Sequence, residues 1–525
     1  MNLKNINIMK KINTLLFAGL VLLSISCNKQ LDINTDPNTA TSATPDLILP
    51  QALTATASNL NGFNSYGAQL VGYSANAGGY GGFGTSITYN FTSSDFSARW
   101  SSTYDNLQDY QYIIDNTEGQ SKYKYFNAVA RIMKALGFQL LVDAYNDVPY
   151  TDALKGASKL TPTYTKADVI YKDLAAQLDT AITYINQGDT VTAVTPLGSK
   201  DVLFGGTMAT WKKFANTIKL RLMVRASGKV TFANTAFSAD GFLTTDALIN
   251  PGYTRDNGRQ NPKWNTWAFS YTGSDANKAW IPSKYIMGFY DGSKLSDNGR
   301  GKAIYYKFPT TGTNRLGVES NDLESCPSGS FWYPSTTRTG SSAGATTGPL
   351  KGPNAGFPLI TAAESYFLQS EAALRGIITG DAKALFNSGI DASFKYTYTL
   401  PDGTASGDPV TDAATYKTNN ASSYLVNFDL ATTIAQKTEA IITQKYIALN
   451  YVNSEEAWNE YRRTTYPKNT LGTSGIASFT SIVSESTRPD KLPTRIIYPS
   501  SEGSYNSANV PKNITPFKDL IFWAQ

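Results

Sequence analysis

The chain is 525 residues long, 41% hydrophobic and only 17% charged, a composition that builds a sizeable packed core and excludes a disordered chain. Its formal charge of +5 falls to about +2 once Lys4, Lys10 and Lys11 of an expected leader are set aside, so no nucleic-acid partner is expected. Histidine is absent, which excludes Ser-His-Asp and Cys-His catalysis and histidine-bound zinc together, and no cofactor or metal is expected.

Residues 1–26 have the layout of an export signal: Lys10 and Lys11, an apolar run from Leu15 to Leu23, then small Ser24 and Ser26 before Cys27. The run is too short for a permanent membrane span, and the cysteine that ends it is similar to a bacterial lipobox, which makes Cys27 the expected lipidation site. Two or three acyl chains would anchor the mature protein on a membrane without crossing it. Residues 27–44 read as a lipidated tether, and 45–525 as one domain.

Helical periodicity predicts helices over about 46–60, 94–116, 122–145, 166–186, 210–226, 361–375, 381–396, 430–451 and 454–463. These recur in pairs with small residues such as Ala362, Ala363, Ala440 and Ala448 at expected contacts, and resemble degenerate tetratricopeptide-type helical repeats. Two long irregular segments interrupt them, a Gly-rich stretch at 61–91 and an insertion at about 251–353; few helical signals follow residue 494. The fold class is therefore mostly α, a tetratricopeptide-like scaffold with long aromatic loops.

Those loops carry the candidate chemistry. About one residue in five between 264 and 333 is aromatic, against 12% of the chain, with no sustained period of 3.6 or 2. A pyranose offers an apolar C–H face ringed by hydroxyls, so a sugar site needs exposed flat rings with amides, carboxylates or guanidinium at the rim. Trp264, Trp267, Tyr271, Trp280 and Trp332 are the expected ligand-binding rings, with Tyr80 and Phe83 across from them and Asn76, Asn261 and Arg338 among the rim groups. Residues 285–306 read as scaffold. A glycoside hydrolase needs two carboxylates about 5 to 9 Å apart and survives the absence of histidine, but no pair stands out among the 41 acidic residues, and no catalytic residue is expected. Cys326 is a lone thiol read as structural.

Several motifs in fixed order are similar to the SusD/RagB family of nutrient-binding outer-membrane lipoproteins: LDINTDPN at 31–38, VDAYNDVPY at 142–150, DVLFGG at 201–206, WKKFANTIKLRL at 211–222, AESYFLQSEAALRG at 363–376, QKYIAL at 444–449, AWNEYRR at 457–463 and RIIYP at 495–499. The chain departs from the family pattern at Asn146, Tyr446 and 291–293. The resemblance implies a surface-exposed, lipid-anchored protein capping a SusC-like TonB-dependent transporter. Its ligand would be an oligo- or polysaccharide, or alternatively a peptide as in some members. The motifs themselves read as scaffold, with Arg462 and Arg463 expected to pair with helix-end carbonyls or with buried acids such as Glu364 and Glu371.

Overall fold

The computed structural model describes residues 43–320 and 322–525; Cys27 and the leader lie outside the described residues. The first half supplies α1 (Pro45–Leu70), α2 (Ser97–Thr117), α3 (Lys124–Tyr145), α4 (Ala167–Gly188) and α5 (Met208–Arg225). The second supplies α6 (Ala362–Leu374), α7 (Ala382–Tyr398), α8 (Pro409–Asn419), α9 (Ile434–Ala448) and α10 (Ser454–Thr464). Each of α1 to α5 packs on the next, α6 packs on both α5 and α7, α9 leans on α6, and α10 returns to α1. The result is a tetratricopeptide-like ladder of helices in which the last element closes on the first.

Local chemistry sets the boundaries. Thr361 caps α6 by accepting from Glu364 N–H at 3.2 Å, and Thr433 with Gln436 forms a reciprocal capping box on α9. Helix α8 has no counterpart in the sequence reading because only Ala413 and Tyr416 of it are buried, too few to set an apolar period. Asp408 starts it, accepting from the N–H groups of Val410 and Thr411 at 3.1 Å each, with Pro409 at the first helical position. Helix α1 is longer than expected. It runs through Gly62 and Gly67, so the Gly-rich loop begins only after Leu70.

Three two-stranded pairs tie the loops down: β1 (Ser74–Asn76) with β5 (Trp280–Pro282), β2 (Val148–Pro149) with β3 (Tyr164–Thr165), and β4 (Ala247–Ile249) with β6 (Phe357–Ile360), all antiparallel. Among the described residues of 251–353, β5 is joined by short helical turns at Pro262–Trp267, Lys284–Met287 and Asn298–Ile304.

The helices of the two halves meet in a buried ionic lattice. Arg225 of α5 grips Asp143 of α3 and reaches both carboxylate oxygens of Glu456 at 2.5 Å, while Lys445 of α9 bridges Glu456 at 2.9 Å and Glu460 at 2.8 Å. Arg463 takes Glu371 through two hydrogen bonds of 2.6 and 2.7 Å, as the motif reading expected, and Arg221 takes Glu364 at 2.9 Å. Arg462 donates to the carbonyls of Thr494 and Asp143 at 2.8 and 2.7 Å. Burial alone would raise the Glu371 carboxyl, yet Arg463 and Arg375 overcome it and hold it at about 2.

Candidate ligand-binding face

Pairing of β1 with β5, Asn76 opposite Trp280, brings the Gly-rich loop and the aromatic insertion to one place. It extends to Ala77 N–H and the Ala279 carbonyl at 2.9 Å, after which Gly78 N–H donates to the Glu324 carbonyl at 3.0 Å. A Cβ on Gly78 would lie 2.0 Å from the Leu323 carbonyl oxygen, so this contact of two backbones requires glycine.

Beyond it the loop leaves the core. Gly79 and Gly82 take φ of 80° and 72°, a region that L side chains rarely occupy, and between them Tyr80 stands 47% exposed. Phe83 is half-buried with its ring edge-on to Trp280, the centroids 5.1 Å apart. The insertion answers with a small hairpin: Phe269 bridges Asp275, Ser270 N–H donates to the Ser274 carbonyl at 2.8 Å, and Tyr271 at the tip is 45% exposed. Asp275 pins the base of this hairpin, accepting from Ser328 Oγ at 2.6 Å and Gly329 N–H at 2.8 Å. Its partial burial would raise the carboxyl, but these donors and Lys278 hold it below the usual range.

Four of the expected ligand rings are placed otherwise. Trp264, Trp267 and Trp332 are no more than 2% exposed, and Trp280 is 8% exposed. Trp332 stacks on Tyr451 at 3.9 Å, Trp267 meets the same tyrosine edge-on at 5.0 Å, and Trp264 lies edge-on to Tyr333 at 5.3 Å. The expectation that they form an exposed platform is corrected: they are the aromatic core that fastens the insertion to the scaffold. Burying about 150–250 Å² per ring stabilises far more than leaving it wet, and rings from turns and loops can converge on one tyrosine without any sequence period. Tyr80, Tyr271 and Phe83 are the named rings that retain exposed surface, with Trp280 supporting Phe83 from beneath.

The expected rim is likewise partly spent. Asn76 donates to the Val318 carbonyl at 2.7 Å and accepts from Gly317 N–H at 2.9 Å, Asn261 caps the turn at Pro262–Trp267, and Arg338 donates to the carbonyls of Ser330 and Tyr333 at 2.5 and 2.6 Å. Asn90 remains at the surface, bonded to Glu485 at 2.7 Å. The signal that separates exposed from buried rings is local: Tyr80 sits in GGYGG and Tyr271 in SYTGS, where small neighbours offer nothing to pack against. The sequence reading passed over a groove of about 900 Å³ elsewhere on the molecule, lined by Asp246, Tyr366 and Lys395 among others.

No helix among the described residues is long and apolar enough to cross a membrane. Comparison with curated proteins gave no match. Residues 37–249 match a family model described as starch-binding and associating with the outer membrane, and residues 350–519 match one described as SusD and RagB outer membrane lipoprotein. The segment between the two matches, 250–349, holds most of the aromatic insertion. Solved structures agree in fold. A SusD homologue from Bacteroides fragilis aligns with a TM-score of 0.64 at 19% identity, over 92% of this chain and 100% of its own. A chitin-binding SusD homologue from Flavobacterium johnsoniae aligns with a TM-score of 0.64 at 21% identity, over 90% and 98%. A further chitin-binding protein gives 0.65 at 23%, over 91% and 99%. With the helical ladder, the ordered motifs and both family matches in agreement, the chain belongs to the SusD/RagB family of outer-membrane lipoproteins.

Proposed function

We propose that the protein captures an oligo- or polysaccharide at the outer membrane on the face presenting Tyr80, Phe83 and Tyr271, and delivers it without turnover to a SusC-like TonB-dependent transporter. The observation that carries this reading is the pair of exposed tyrosines, 47% and 45% accessible, on loops whose bases are fixed by the β1–β5 pairing and by Asp275. Exposed rings on fixed supports suit stacking against a pyranose at low entropic cost. The starch-binding description of one matching family model and the chitin-binding names of two structural relatives support a glycan ligand.

The test is calorimetry on the chain from Asn28 onward against malto-, chito- and xylo-oligosaccharides and a peptide panel, with product analysis of each mixture. One oligosaccharide class is expected to bind intact, and Tyr80→Ala with Tyr271→Ala to weaken it about tenfold or more, as for central aromatic contacts. Binding only to peptides, unchanged affinity in the double variant, or cleaved product would each overturn the corresponding part of the reading.

A further inference from the structure

We propose that the groove where the start of α6 meets α7 and α8 is a second carbohydrate site, one that takes a neutral oligosaccharide independently of Tyr80 and Tyr271. The groove encloses about 900 Å³, near the upper end of the roughly 300–1,000 Å³ of ligand pockets. Its space comes from small residues, Ala392 and Ala414 on the facing helices α7 and α8, where larger side chains would fill the gap.

The floor is built and oriented. Asp246, just before β4, accepts the Ala362 N–H through Oδ1 at 2.8 Å, which fixes its carboxylate at the N-terminal end of α6. Tyr366 follows one turn along that helix, half-buried and lining the same space. Lys395 of α7 borders the groove from the other side; burial leaves the Asp246 carboxyl raised, opposed in turn by the Ala362 N–H, Lys351 and Lys395.

Three polar groups here carry unused hydrogen-bonding capacity. Among the described residues, Asp246 Oδ2, the Tyr366 hydroxyl and the exposed Lys395 Nζ take no hydrogen bond from the protein itself, although each residue borders the groove. They supply an acceptor, a donor and acceptor, and a donor, a set that matches the amphoteric hydroxyls of a sugar. The charge balance argues against an ionic ligand. Asp246 and Asp391 offset Lys395 and Lys417, and the Asp391–Lys417 pair is already closed at 2.6 Å. Val410, 78% exposed on α8, and the half-buried Tyr366 ring both line the groove, surfaces that suit the C–H face of a pyranose.

Titration of the same oligosaccharide panel decides the matter. The wild-type chain is expected to bind two ligands, Tyr366→Ala with Lys395→Gln one, and Tyr80→Ala with Tyr271→Ala one, each variant first confirmed folded by its thermal transition. Tyr366→Phe, which keeps the ring and the packing, is expected to weaken the groove site about tenfold while leaving the loop site unchanged. Unchanged stoichiometry in Tyr366→Ala with Lys395→Gln, no binding at all in Tyr80→Ala with Tyr271→Ala, or a groove that takes peptides instead of sugars would overturn the proposal. A groove that still binds when the loop variant makes no difference would instead count against the loop face alone.

Discussion

Lys263 illustrates how single buried charges join the loops to the scaffold. It lies in the turn at Pro262–Trp267, is 2% exposed, and sends Nζ to the carbonyls of Tyr451 and Val452 at 2.5 and 2.6 Å, at the link between α9 and α10. Lys351 does the same for the end of α7, reaching the carbonyls of Tyr396 and Thr399 at 2.6 and 2.5 Å. Removal from water pushes both ammonium groups from the ordinary 10.5 down to about 7. Between those values the unfolded chain binds more protons than the folded one, so stability rises with pH, and the cost of the buried charges is fully present below about 7. Urea denaturation from about pH 7 to 9, below the range where unfolded tyrosines ionise, is expected to give a slope of up to about 1.4 kcal/mol per pH unit from each lysine. Lys263→Met with Lys351→Met should reduce that slope, leaving the share of Lys294 and Lys134, which burial also lowers, to about 6 and about 8; an equally steep profile in the double variant would refute the assignment.

At the scale of elements, the junction of α1 with α10 depends on one absent side chain. A Cβ on Gly67 would stand 2.5 Å from the backbone N of Glu455 and from the carbonyl of Ser454, neither of which can swing aside. Asn64 fixes the same crossing, its Oδ1 accepting from both the N–H and the hydroxyl of Ser454 at 2.8 and 2.9 Å. Gly67→Ala is expected to force the helices apart and lower stability by about 1–3 kcal/mol or more. Gly62, one turn earlier on the exposed side of α1, has nothing within 4 Å of its Cβ position, so Gly62→Ala should stabilise by about 0.5–1 kcal/mol by restricting the unfolded chain. Equilibrium unfolding of the two variants checks both signs together. Loss of stability in both would mean that residues 62 and 67 share one crowded face.

For the whole molecule, the ionic lattice and the membrane anchor act at different levels. The lattice draws α3, α5, α6, α9 and α10 into one buried cluster, so the two halves of the scaffold are held by charges far apart in sequence. The anchor places that scaffold on a membrane. Cys27→Ala is expected to abolish incorporation of labelled fatty acid, because the thiol that would take the acyl chain is gone. Fatty acid still incorporated into the variant would show that another residue carries the anchor.

Helix periodicity made the scaffold legible. Apart from α1, which runs ten residues past its expected end, the expected helices form within a few residues of their anticipated ends, because apolar spacing acts over one or two turns and leaves a local record. Helix α8 escaped because it is mostly exposed, and Gly62 and Gly67 passed for a loop because a glycine chosen for close packing leaves the same letter as one chosen for a turn. Chemistry alone anticipates that Arg462 and Arg463 pair with helix-end carbonyls or with buried acids such as Glu364 and Glu371; the structure gives Arg463 to Glu371 and Arg462 to two carbonyls. The candidate site was legible only in part. Composition singled out the aromatic segment, but exposure is a property of three-dimensional packing, and tertiary structure sent Trp267 and Trp332 inward against Tyr451 and Trp264 against Tyr333 while leaving Tyr80 and Tyr271 at the surface. The groove of Asp246, Tyr366 and Lys395 left no sequence signal, because its residues come from three separated elements and their convergence exists only once the helices pack. The sequence by itself determined the helical ladder and the expected anchor, which rest on local spacing; the tertiary structure alone decided which rings and charges remain free for a ligand, because that depends on what the rest of the chain covers.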